Sequence, residues 1–222
     1  MWLQESEQRL RHKDSMKIIM IRHGATKGNL EKRYVGSTDE AILEEAGESL
    51  QKLRRQNAKL LNGVEKVYIS PMIRCRETAD ILFPANCKIA LEGLRECEFG
   101  EFEYKNYQEL RDNPLYQAYI GSNGECGFPG GETKSRFQQR CVDTFCRLLE
   151  DLSDGKITNL QDIYLKMTIA IVAHGGTIMS LLDAFSSPHR DYFDWQTENG
   201  QGYLMELGVD SGQFVLRNIK RI

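Results

Sequence analysis

Two short apolar runs constrain the fold more than anything else in the chain: Ile18-Ile19-Met20-Ile21 and Ile169-Ala170-Ile171-Val172-Ala173. Each is short for a helix and largely β-branched, which suits a strand covered on both faces. Each ends in histidine and glycine, as Arg22-His23-Gly24 and as His174-Gly175-Gly176. Strands of this kind need helices on both sides, and ligands collect beyond their carboxyl ends. The chain has 4 histidines, His12, His23, His174 and His189, and two of them share this context. The repetition predicts that the two strands lie side by side and bring His23, His174 and Arg22 together. Gly24 lets the backbone turn sharply or approach a ligand.

The remaining pattern alternates helix and strand. Glu44 to Leu61 carries Leu50, Leu53, Leu60 and Leu61 at helical spacing and stops at Gly63. Val64 to Ile69 is the next strand. Ser70 is a candidate N-cap and Pro71 a candidate first helical residue, which places Arg74 in the first turn of a helix. There the helix dipole and free N–H groups already favour anions; the alternative for Arg74 is a surface ion pair with Glu77. Arg76, two residues on, faces elsewhere. Cys87 to Leu94 reads as a strand. The acidic stretch after it holds Glu96, Glu98, Glu101 and Glu103, most of them solvated and one able to donate a proton. A helix is predicted over Tyr107 to Tyr119, then a Gly- and Pro-rich loop to Gly131. Residues 99–131, rich in aromatics, form a candidate lid insertion. Thr133 caps a helix running to about Leu152, Thr177 to Phe185 is helical, and Gly202–Leu207 with Gln213–Ile219 makes a closing hairpin. In the polar loop Ala25–Ala41, Arg33 and Tyr34 face either a ligand or solvent.

A chain of 222 residues is the size of one α/β domain. A net charge of −3 gives no electrostatic case for nucleic acid or an anionic membrane. No apolar run approaches the ~20 residues of a membrane span. Residues 1–15 lack the apolar core of a signal peptide and read as an N-terminal extension before a domain at 16–222. The 6 cysteines match no zinc spacing and read as reduced thiols of a cytoplasmic protein. Cys75, between Arg74 and Arg76, is the one candidate for a reactive thiol.

Two arginines, two histidines and a carboxylic acid define a reaction class. Guanidiniums grip phosphoryl oxygens in pairs, a neutral histidine is a nucleophile, and a carboxylic acid protonates a departing alkoxide. No metal or cofactor is called for. The ordered motifs Arg22-His23-Gly24 with Thr26 and Asn29, Ser70-Pro71-Met72-Ile73-Arg74 with Glu77-Thr78-Ala79, Leu94-Arg95-Glu96 before Phe99-Gly100, Gly130-Gly131-Glu132-Thr133 and Ala173-His174-Gly175-Gly176 resemble the histidine phosphatase (phosphoglycerate mutase-like) superfamily. The resemblance implies a three-layer α/β/α sandwich with a mostly parallel central sheet. It implies that His23 is phosphorylated and that Arg22, Arg74 and His174 hold the phosphoryl group, with Asn29 and Gly175 as further contacts. By the motif Glu96 is the general acid and then the base for water; Glu98 is the alternative. Val35, where a polar residue is usual, and Tyr104, where a small one is usual, depart from the pattern and bear on specificity. The short, acidic middle segment favours a phosphatase over a mutase or a non-catalytic phospho-ligand binder. Tyr34–Asp39 and Gly127–Glu132 resemble α-ribazole-phosphate phosphatases. The expected partner is a small phosphate ester, and the protein is expected to be a monomer or homodimer.

Overall fold

Strand β1 (Lys17–Arg22) sits inside a six-stranded sheet with β2 (Lys66–Ile69), β3 (Lys88–Ala90), β4 (Thr168–Ala173), β5 (Gly202–Asp210) and β6 (Gln213–Arg221), in the order β3-β2-β4-β1-β5-β6. The computed structural model describes residues 15–122, 124–152 and 167–222. The expected N-terminal extension, apart from Ser15, and Asn123 of the candidate lid lie outside them. β1 pairs in parallel with β4, from Lys17 opposite Thr168 to Arg22 opposite Ala173. β2 is parallel to β4 and to β3. β5 runs antiparallel to β1 and to β6, and β6 forms one edge.

The helices, in chain order, are α1 (Lys27–Leu30), α2 (Glu44–Gln56), α3 (Ala58–Leu61), α4 (Ile73–Leu82), α5 (Tyr107–Leu110), α6 (Pro114–Gly121), α7 (Lys134–Leu152) and α8 (Gly175–Phe185). Strand alternation sorts them into two layers. Ile18, Met20, Ile169 and Ile171 pack with Phe137 and Phe145 of α7 and Leu181 of α8. Ile19, Ile21, Ala170 and Val172 pack with Leu50 of α2 and Ala79 and Leu82 of α4. The α/β/α sandwich is therefore present, with a mostly parallel sheet. Among the described residues no helix is long and apolar enough to cross a membrane. A third cluster, Phe102, Leu110 and Tyr116, packs the 99–131 segment beside the sheet.

Several boundaries differ from the sequence reading. The helix expected over Glu44–Leu61 breaks at Asn57, between α2 and α3. That over Tyr107–Tyr119 breaks before Pro114, which cannot continue a helix; Asn113 caps the new one by accepting from Leu115 N at 2.9 Å. The strand expected over Cys87–Leu94 is only β3, and a 3₁₀ turn occupies Glu92–Leu94. Helix α8 starts at Gly175 rather than Thr177, so His174 is its N-cap residue. Thr133 does cap α7, accepting from Arg136 N at 3.2 Å.

Ser70 and Pro71 do not start α4. Its N-cap position is Met72, which contributes no side-chain bond. Instead Asp39 reaches across from the loop between α1 and α2 and accepts from Ile73 N at 2.7 Å. Asp39→Ala should therefore lower stability by about 1 kcal/mol, the usual worth of an N-cap acceptor, whereas Asp39→Asn should remain near wild type. Urea unfolding of both variants measures this; equal losses would remove Asp39 from the capping role.

Candidate active site

The parallel register decides where the histidines go. His23 N donates to Ala173 O at 3.0 Å, extending the β1–β4 ladder past the strand end. The His23 and His174 rings lie 5.1 Å apart between centroids, at 66°. Both are buried. His23 Nδ1 lies 2.8 Å from Gly24 O. A carbonyl only accepts, so the ring proton is on Nδ1 and Nε2 carries a free lone pair. Burial holds the His23 imidazole well below its ordinary pKa, and Arg74 and then Arg22 add to this, against the Gly24 bond. The ring is therefore neutral.

His174 has the opposite tautomer. Arg74 Nε donates to its Nδ1 at 3.3 Å, so the proton sits on Nε2 and points to Ser70 Oγ at 2.8 Å. Burial, then Arg74, His23 and Arg22, lower its pKa well below the ordinary value. Sequence reasoning reads Ser70 as a helix cap, whereas its hydroxyl meets a partner 104 positions away.

Arg74 is completely buried. Its Nη1 donates to Thr38 O at 2.8 Å, and its Nη2 to Gly36 O at 3.0 Å and Val35 O at 3.4 Å. The ion pair with Glu77 does not form; Glu77 Oε2 accepts from Ile42 N at 2.8 Å. Glu103 fixes the carbonyl-bearing loop by accepting from Gly36 N at 3.0 Å and Thr38 N at 2.9 Å. Arg22 Nη1 donates to Thr197 O at 2.8 Å, but its buried Nε has no hydrogen-bond partner among the described residues. Burial lowers the Arg22 pKa and Glu96 opposes this, but a guanidinium stays charged. Buried donors are normally satisfied, so the orphan Nε–H of Arg22 suits an anionic oxygen.

Glu96 joins this group. Its Oε1 accepts from Cys97 N at 3.0 Å and its Oε2 from Gly176 N at 3.1 Å. Burial raises its pKa, outweighing these two bonds and the attraction of Arg22 and Arg74. A Cβ on Gly176 would lie 2.4 Å from Glu96 Oε1, so the glycine is what lets the carboxyl approach. Glu96, Arg22, Gly175 and Gly176 line a cleft of about 440 Å³ together with the rings of Tyr34, Phe99, Phe128 and Tyr192.

The remaining candidates divide between the cleft and other partners. Glu98 is exposed and does not line the cleft; its backbone N–H donates to Glu132. Asn29 belongs to the capping box of α1, and its Oδ1 also accepts from Asn199 Nδ2 at 2.9 Å. Arg33 turns away to Glu109 and Tyr104 O, and stacks 5.2 Å from the Tyr104 ring centroid. Cys75 is no nucleophile: burial pushes its thiol up to about 12. Tyr34 does reach the cleft, while its hydroxyl pairs with Tyr116. Of the aromatics in the 99–131 segment, Phe102 only packs, whereas Phe99 and Phe128 both pack and line the cleft.

The chain is 27% identical to phosphoglycerate mutase-like protein 4 of Arabidopsis thaliana over 176 residues, covering 77% of this chain and 71% of that protein. It is 24% identical to a broad-specificity phosphatase of Saccharomyces cerevisiae over 210 residues, covering 92% and 85%. The fold is shared with the α-ribazole phosphatase of Shigella flexneri, at a TM-score of 0.67 and 22% identity over 91% of this chain and 95% of that one. The model of the histidine phosphatase superfamily (branch 1) matches residues 18–220, and the chain belongs to that family.

Proposed function

We propose that the protein hydrolyses phosphate monoesters of small molecules in the cytoplasm through a phosphohistidine on His23, without a metal. One observation carries the reading: the Nδ1–Gly24 O contact leaves the lone pair of His23 Nε2 free, and the next residue back, Arg22, has a buried Nε–H with no partner among the described residues. In the first step Nε2 attacks phosphorus and the ester P–O bond breaks. The proton of the Glu96 carboxyl goes to the leaving alkoxide. In the second step Glu96, now a carboxylate, takes a proton from water as the water oxygen attacks phosphorus. The P–N bond breaks and its electron pair returns to Nε2. Arg22, Arg74, His174 and the N-terminus of α8 at Gly175 balance the phosphoryl charge throughout, which is most of what this chemistry requires.

Turnover of p-nitrophenyl phosphate should persist in EDTA and vanish in His23→Ala. Rapid quench with labelled substrate should trap a phosphoenzyme that is labile to acid, as a P–N bond is. Loss of turnover on chelation, or full activity in His23→Ala, overturns the reading. Net isomerisation of 3-phosphoglycerate, primed by a bisphosphate, would assign the site to a mutase instead. Tight phosphate binding with no turnover would make the protein a binding module.

The protonation states give a pH dependence. The neutral form of His23 is present above its lowered pKa, and the acid form of Glu96 is present below its raised one. kcat/KM should thus be high in the acidic range and fall as pH rises through the Glu96 pKa. Glu96→Gln should lower kcat/KM for alkyl esters by ~10²–10⁴-fold and remove the alkaline limb. Survival of that limb in the variant would take the acid role from Glu96.

A narrower reading names α-ribazole 5′-phosphate as substrate. It is supported by the aromatic walls of the cleft, suited to a flat base, and by the fold shared with an α-ribazole phosphatase. In a panel with 3-phosphoglycerate and phosphoserine, α-ribazole 5′-phosphate should have the highest kcat/KM; a higher value for either of the others rejects it.

A further inference from the structure

The motif Gly130-Gly131-Glu132-Thr133 has no part in the steps above, yet Glu132 is only 6% exposed. Its carboxylate takes both arms of one guanidinium: Arg140 Nε donates to Oε1 at 2.9 Å and Nη2 to Oε2 at 2.7 Å. The remaining donors of Arg140 go to the chain that carries Glu96. Nη1 reaches Gly93 O and Arg95 O, each at 3.0 Å, and Nη2 reaches Glu96 O at 3.3 Å. Glu132 holds the same stretch from the other end. Its Oε2 accepts from Glu98 N at 3.1 Å, and its own N–H donates to Glu98 O at 2.9 Å.

Residues 95–98 belong to no helix or strand. No ladder fixes their backbone, and Thr177 Oγ1 adds only long bonds to Leu94 O at 3.3 Å and Arg95 O at 3.4 Å. The Glu96 carboxyl itself rests on two N–H groups. Its aim thus depends on what pins the peptide behind it. Arg140 and Glu132 do this as a neutral pair, so they fix position without adding net charge near the acid. A guanidinium supplies five donors in a rigid plane, and a lysine cannot reproduce that fork.

We propose that Arg140, braced by Glu132, is a positioning residue that aims the Glu96 carboxyl at the leaving-group oxygen. The proposal rests on the reading of Glu96 as general acid. Misplacing a reacting group by about 1 Å costs on the order of 10²-fold in rate. The cost should fall only on substrates that need the proton.

A matched pair of esters tests this. p-Nitrophenyl phosphate and p-nitrobenzyl phosphate have similar bodies, but the first expels a stable phenolate and the second an alkoxide. kcat/KM reports only the steps through departure of the alcohol, so the later role of Glu96 with water does not enter. Arg140→Lys and Glu132→Gln should each lower kcat/KM for the benzyl ester by about 10- to 100-fold and leave the phenyl ester within about threefold. Thermal unfolding of each variant confirms that it is folded. Equal losses on both esters, or none on either, overturn the positioning role; a variant that does not fold leaves the other to decide. If Glu96→Gln itself fails to separate the two esters, the assignment of Glu96 is wrong. If the wild type hydrolyses neither ester, the phosphatase reading fails and this proposal fails with it.

Discussion

The in-register parallel pairing of β1 with β4 is the constraint on which the site depends. Arg22 lies opposite Ala173, so the next residue on each strand leaves the sheet at the same height. A slip of one residue would send every core side chain of one strand to the wrong face. Ile18 to Ile21 and Ile169 to Val172 are wholly buried on both faces, so such a slip is strongly disfavoured. The hydrophobic core thereby sets the distance between two imidazoles that lie far apart in the chain. Chemistry placed at the end of such strands inherits the rigidity of the sheet.

Arg140, half-buried, and Arg74, wholly buried, show how the fold distributes charge. Arg140 is bound by a carboxylate, and its charge is cancelled locally. Arg74 is held by three carbonyls and an imidazole, none of which carries a formal charge. Its position is fixed while its positive charge still acts on the cleft. Glu103 contributes indirectly: it ties down the loop that offers the carbonyls rather than pairing with the guanidinium. A carboxylate placed directly on Arg74 would have competed with a phosphoryl group.

What the sequence makes legible is what is local. The His-Gly strand ends, Arg74 near a helix start and the closing hairpin each follow from a few adjacent residues. Ser70 does not. Its neighbours Pro71 and Met72 suggest a cap, but its hydroxyl is engaged by His174 from another strand, and Asp39 caps the helix instead. Cys75 misleads in the same way. Its flanking arginines suggest an activated thiol, yet burial outweighs their charge. The need for glycine at position 176 arises from a carboxyl 80 positions away, which no local pattern reveals. The break before Pro114 was visible in principle, since proline and the asparagine before it both favour a new helix start.

The histidines also show why a symmetrical sequence pattern need not give symmetrical chemistry. Both follow an apolar strand and precede a glycine, but one hydrogen bond separates them. In His23 the carbonyl of Gly24 claims the Nδ1 proton. In His174 the Arg74 N–H claims the Nδ1 lone pair, and Ser70 receives the proton on Nε2. Both nitrogens of His174 are therefore occupied by protein groups, while Nε2 of His23 is not. Exchanging their roles would require moving Arg74, whose guanidinium is fixed by the loop from Val35 to Thr38. The asymmetry thus lies in the loop and in α4 rather than in the strands, and of the four ring nitrogens it leaves Nε2 of His23 without a partner among the described residues.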